Sequence, residues 1–162
     1  MAEGFRIGSV TSRVDAPLVP PPLVAAAAIG VQALLVRRSG VRDLPGRLPA
    51  AAALAVASGV LAGAGGRRFR AAGTTPDPVH PDRATALVAE GVFARTRNPM
   101  YLGLVGLTAA HAIRTGHLRS LVPTVACLAW LDRVQIPAEE SALGATFGTT
   151  YDDYRASVRR WL

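Results

Sequence analysis

Two long apolar runs, Ala16–Val36 and Leu48–Gly66, constrain this chain more than anything else in it. Each is close to the ~20 residues that a helix needs to cross a bilayer core. Between Leu23 and Leu35 the first run carries no polar side chain except Gln32, so it has no polar face to turn toward water and does not read as a soluble core helix. Pro17, Pro20, Pro21 and Pro22 crowd its start. Proline is accepted in a first helical turn, so a regular helix is expected from near Pro22. Arg37 and Arg38 close the run, and Ser39–Arg47, with its Pro-Gly and charges, reads as a turn. The second run is rich in small residues, among them Ser58, Gly59, Ala62, Gly63 and Ala64, which allow close helix–helix approach in lipid. It ends in Gly63-Ala64-Gly65-Gly66, superficially like a nucleotide-binding glycine loop. That motif needs a strand before it and an apolar helix after it, and here Arg67-Arg68-Phe69-Arg70 follows. A helix end at glycine with interfacial arginines is expected instead.

Residues 71–98 are polar and place three prolines between 76 and 81, so they cannot cross lipid without leaving backbone groups unpaired. Pro99–Ile113 and Ser120–Ile136 are apolar again, joined by Arg114-Thr115-Gly116-His117, and read as a hairpin of two shorter membrane helices. In the tail, 137–162, Phe147, Tyr151, Tyr154, Val158 and Trp161 recur at helical spacing, with charges off the stripe. That combination suits an amphipathic helix at the membrane–water boundary. The expected architecture is therefore all-α: an integral membrane bundle of about four spans with an interfacial C-terminal helix. It divides into a polar tail (1–15, without a signal-peptide pattern), a membrane hairpin (16–70) and a C-terminal core (71–162).

Composition narrows the function. All 18 basic residues are arginine against 11 acidic ones, for a net charge of +7. The arginines sit at the ends of apolar stretches, which fits an anionic membrane surface, and no arginine-rich stretch with interleaved aromatics marks a nucleic-acid binder. Arginine without lysine, beside so much alanine, reflects a GC-rich genome, so a bacterial inner membrane is the expected location. The turn at 37–47 holds four arginines and the segment 67–97 six, placed on opposite sides by a short hairpin. Cys127 stands alone, which excludes a disulfide scaffold and a multi-cysteine zinc site. His80, His111 and His117 have no metal-ligand spacing, and no metal is expected.

Three segments are too specific for plain loops. They are Gly73-Thr74-Thr75-Pro76-Asp77-Pro78, the stretch from Gly91 to Gly103, and the stretch from Glu139-Glu140 through Phe147-Gly148, Tyr151 and Tyr154 to Arg159-Arg160-Trp161. Arg97-Asn98-Pro99-Met100-Tyr101-Leu102-Gly103, then Glu139-Glu140 to Leu143, Phe147-Gly148, Tyr151 to Tyr154 and the terminal arginines, resemble in order and spacing the integral-membrane methyltransferases that include isoprenylcysteine carboxyl methyltransferase and the phospholipid methyltransferases. The resemblance covers about residues 71–162; the first two helices match only in kind. Phe93 and Asn98 depart from it, since the family often has Tyr and His there, and Asn cannot titrate near neutrality.

The resemblance implies S-adenosylmethionine bound without a Rossmann domain, a catalytic face toward the cytoplasm, and a lipophilic or small methyl acceptor such as an isoprenylcysteine-type carboxylate, a lipid amine or a thiol. The residue types suit that donor. Glu139 or Glu140 offers a carboxylate to its ammonium. Arg97 and the helix start after Asn98-Pro99 offer partners to its carboxylate. Leu102, Gly103 and Tyr101 lie where an apolar adenine slot is expected, and His80 is a cofactor-loop candidate. By resemblance, Arg159 or Arg160 steers an anionic acceptor, with Glu140 beside them as a catalytic candidate. Asp132-Arg133 reads as a self-satisfied ion pair. The competing reading is a non-enzymatic membrane accessory protein that keeps the fold.

Overall fold

The computed structural model describes residues 19–74 and 83–162. The expected tail at 1–15, the segment Thr75–Pro78 and the candidate His80 lie outside the described residues. Among the described residues the chain is all-helical: α1 (Pro21–Val36), α2 (Arg47–Ala71), a 3₁₀ turn (Gly91–Ala94), α3 (Pro99–Thr115), α4 (Leu121–Trp130), a π-helical turn (Leu131–Gln135), α5 (Ile136–Phe147) and α6 (Thr149–Ser157). Proline opens α1 and α3, where its missing N–H has no partner to lose. The π turn lies just ahead of Pro137, which has no N–H to give the carbonyl one turn back, so the ladder widens there instead of breaking.

The helices alternate in direction, and α3 is central. It packs along the length of α2 and also against α1 and α4. The helices of the first hairpin are thus not each other's main partners; α3 stands between them. The α2–α3 seam is built of small residues. A Cβ on Gly103 would lie 2.7 Å from the Ser58 carbonyl oxygen and 2.8 Å from the Ala62 methyl. Gly103→Val is expected to force the two helices apart and cost about 1–3 kcal/mol, seen as a lower unfolding midpoint in detergent. An unchanged midpoint would mean that the seam is not close-packed.

Small and polar residues face inward and large apolar ones face out. In α1 the buried positions are Pro21, Ala25, Ala28, Gln32 and Val36, while Leu23 and Leu34 are 60% and 67% exposed. In α2 Ala51, Ser58 and Gly65 are buried, while Val56 and Val60 are exposed. This inverts the soluble pattern and is what a lipid-facing surface requires. Arg47–Ala71 is the one described helix long and apolar enough to cross a membrane; α1 and α3, of 16 and 17 residues, are shorter.

The end of the bundle at 37–47 and 114–120 is tied by polar contacts. Gln32, fully buried, donates toward the carbonyls of Thr108 (3.1 Å) and Ser120 (2.9 Å) and to Thr124 Oγ1 (2.9 Å). Its Oε1 can only accept, so the His111 Nδ1 at 2.7 Å is the donor, and His111 Nε2 accepts from Arg114 at 2.9 Å. The polar residue that interrupts the first run therefore locks α1 to α3 and α4.

Two local expectations change. Helix α2 does not stop at Gly65-Gly66 but continues to Ala71. Gly65 is pressed against Met100, where a Cβ would come within 2.7 Å of Cγ, so that glycine serves packing and not termination. The tail is not one helix. Gly148, at φ 54°, takes a backbone conformation that other residues rarely adopt and divides α5 from α6. Val158 is extended, and Trp161 returns against the core beside Leu131.

Candidate active site

At the opposite end of the bundle a cavity of about 270 Å³ opens between the start of α1, the end of α2, the start of α3 and α5. Its lining is mostly apolar. Phe69 of α2 and Phe93 of the 3₁₀ turn meet edge to face with ring centroids 5.3 Å apart, and Leu104 and Leu143 add aliphatic surface. Polar groups enter from Arg97, Asn98, Tyr101, Glu139, Glu140, Tyr151 and Tyr154.

The adjacent carboxylates of α5 have opposite environments. Glu140 lies between two guanidinium groups, with Arg97 Nη2 at 2.8 Å and Arg160 Nη2 at 2.6 Å. Burial raises its pKa, but the hydrogen bonds and positive charges of Arg160 and Arg97 together outweigh burial and hold it below the usual carboxylate range. Glu139 has no cation beside it among the described residues. Its Oε1 accepts from the Tyr101 hydroxyl and from Gln135 Nε2 (2.6 Å). Burial pushes Glu139 up to about 7 despite those two bonds, and the neighbouring Glu140 charge adds to the rise.

Glu140 is also the hub that docks the C-terminus. Arg160 reaches on to Asp132 at 3.2 Å, and Asp132 accepts from Trp161 Nε1 at 2.9 Å. The expected Asp132–Arg133 pair is therefore replaced by a link across the fold. Arg97 donates to the carbonyls of Val158 (2.5 Å) and Arg155 (2.9 Å), while its backbone N–H donates to Arg159 O (2.9 Å). Thr96 Oγ1 and Asn98 Nδ2 both donate to Arg160 O.

Of the residues singled out in the sequence, the fold brings Arg97, Asn98, Pro99, Tyr101, Glu139 and Glu140 onto one cavity. Leu102 and Gly103 are not on its wall, because Gly103 faces α2 across the seam. Arg160 stands behind Glu140 with its charge neutralised by Glu140 and Asp132, and Arg159 is exposed and enters only through its carbonyl. Neither arginine faces the cavity as a free cation. Phe93, which stands where the family often has Tyr, is on the wall too, together with Phe69 and Leu104, which no sequence motif singles out. Phe69 is hidden among arginines in sequence, and only the crossing of α2 with the 3₁₀ turn reveals its partner. Tyr151 and Tyr154, which belong both to the apolar stripe of the tail and to the motif, line the cavity, and Tyr154 donates to the Phe93 carbonyl at 2.8 Å.

The family model described as phospholipid methyltransferase matches residues 47–150, from the start of α2 to the start of α6, so the matched region holds most of the cavity wall. No curated protein and no solved structure matches the chain.

Proposed function

Because the chain belongs to the phospholipid methyltransferase family, we propose that it is a membrane methyltransferase that uses S-adenosylmethionine to methylate a lipophilic or small acceptor. The observation that carries this reading is Glu139, a half-buried carboxylate without a cationic partner among the described residues, on a mostly apolar cavity. A carboxylate so placed calls for a cationic ligand, and the donor has an ammonium and a sulfonium. Oε1 of Glu139 is held by Tyr101 and Gln135, which leaves Oε2 for the ligand. The donor's carboxylate would lie at the start of α3, where the first N–H groups have no helical acceptor. Arg97 orients that segment, with its two terminal nitrogens engaged by Glu140 and two carbonyls. Phe69, Phe93 and Leu104 offer the apolar slot for adenine in place of Leu102 and Gly103.

When bound, the donor would supply a methyl group already activated by its sulfonium. The protein's part is then positioning and exclusion of water. The helices α1, α2, α3 and α4 with its π turn are read as four crossings, with α5 and α6 at the boundary on the cavity side. At about 24–26 Å, α1 and α3 are shorter than a ~30 Å core, so the bilayer thins or the flanking arginines snorkel. The inner membrane of a bacterium, with the cavity toward the cytoplasm, remains the proposed setting.

The test is calorimetric binding of S-adenosylhomocysteine to detergent-purified protein. Saturable binding is expected; none by a well-folded protein would favour an accessory protein that keeps the fold. The same titration has a signed pH dependence. The ligand's ammonium needs the ionised carboxylate, so affinity is expected to rise as pH increases through about 7 and to level off above it. In the free protein the sign is reversed. A pKa raised by burial from 4.5 to about 7 makes ionisation unfavourable in the fold, so stability is lost as pH rises across that window. Affinity independent of pH between 6 and 8 would remove Glu139 from the binding site.

A further inference from the structure

Beside the cavity, on the other side of the Phe69–Phe93 contact, an open groove runs between the end of α2 and the turn at Gly91–Ala94. Arg67, Arg68 and Arg95 line it together with the small apolar surfaces of Ala64, Ala71 and Val92. Its charge differs in kind from that of the cavity, where Glu140 and Asp132 neutralise the arginines. Among the described residues neither the Arg67 nor the Arg95 side chain has an ion-pair or hydrogen-bond partner, and the Arg68 side chain has only Glu90 at 3.9 Å, both of that pair open to water. Such a pair contributes little. Two backbone features keep the guanidinium groups in the groove. Arg67 lies back along its own helix over Gly63, and the Arg68 guanidinium lies so close to Gly91 that a Cβ there would come within 2.5–2.9 Å of it. The groove stands at the end of the helix whose Val56 and Val60 are exposed a few turns earlier, which is the depth of the headgroup layer if α2 crosses the bilayer.

We propose that this groove binds the phosphate of an anionic phospholipid and so holds the cavity mouth against the headgroup layer. The arginines would pair with the phosphate oxygens, and Ala64, Ala71 and Val92 would meet the apolar part of the same lipid. The proposal rests on the reading of α2 as a membrane span. It does not require the bound lipid to be the methyl acceptor.

The test is native mass spectrometry of the full chain in detergent, titrated with phosphatidylglycerol or phosphatidylcholine. Preferential binding of phosphatidylglycerol is expected. At about fivefold per arginine near a membrane surface, Arg95→Gln should weaken it about fivefold and Arg68→Gln/Arg95→Gln about 25-fold, while Arg37→Gln/Arg38→Gln at the opposite end should leave it unchanged. Arg95→Gln breaks no bond within the described residues, so it is the variant secure against misfolding. Equal binding of the two lipids by the wild type, or selectivity that survives the double substitution, would overturn the proposal. So would displacement of the lipid by equimolar inorganic phosphate, which would assign the groove to a soluble anion. S-adenosylhomocysteine binding on the same preparations separates the two readings. Its loss with lipid selectivity intact counts against the methyltransferase and supports the groove; the reverse counts against the groove alone.

Discussion

Glu139→Gln is expected to weaken S-adenosylhomocysteine binding by about 30-fold or more, the lower end of what removing one partner of a buried charge pair costs, and to leave the fold intact. The substitution is close to isosteric. Both internal bonds, from Tyr101 and from Gln135, land on Oε1, and the oxygen of the substituted amide can accept both. What disappears is the charge on the other oxygen, the one left toward the cavity. The pH dependence should disappear with it, because the group that titrates near 7 is gone. Calorimetry at pH 8 beside thermal unfolding reads both effects. Wild-type affinity in Glu139→Gln would leave the cavity without an ammonium site and would sink the assignment.

Glu140→Gln should behave in the opposite way. Here the expected effect is on stability: a loss of about 3 kcal/mol, the scale on which stripping one partner from a buried ion pair destabilises a protein. Glu140 and Arg97 are 13% and 12% exposed at the side chain, and the same carboxylate carries Arg160. Without it, Arg97 loses its counter-charge and Arg160 keeps only Asp132, which weakens the docking of 158–161 onto the start of α3. Ligand binding then falls as a consequence of unfolding. The pair of variants is diagnostic: one should lose affinity at an unchanged midpoint, the other should lose both together. A Glu140→Gln protein that melts like the wild type would show that Glu140 does not hold the C-terminus.

The paired glutamates show how far a sequence can be read. Glu139-Glu140 beside Arg97-Asn98-Pro99 was recognisable as a cluster, and its members do meet at one cavity. Which carboxylate is saturated and which is open was not readable, because it depends on rotation about one helix: α5 turns Glu140 toward Arg97 and Arg160 and Glu139 toward Tyr101. The pairing of the terminal arginines is unreadable for the same reason. A charge near the end of a chain looks available until the fold supplies Glu140 and Asp132 to neutralise it. Leu102 and Gly103 were assigned to a cofactor slot by their place in a motif, but α3 turns Gly103 toward Ser58 and Ala62.

The apolar runs, the prolines that open α1 and α3 and the arginines that bracket the runs were enough to establish helices and their approximate limits, because those depend on local backbone preference and on residue type. The inward stripe of small and polar residues is half visible: the small residues of α2 read as an approach surface, while Gln32 is simply the one polar side chain of its run. Its partners, Thr108, His111, Ser120 and Thr124, lie far along the chain, and no spacing rule connects them. The same holds for the separation of cavity from groove, where Phe69 and Arg68, neighbours in sequence, face different sides of one wall. Periodicity carries the shape of each helix. The register between helices, which decides whose charge is met and whose is left open, is a property of packing, and it arises only when all the helices are in place.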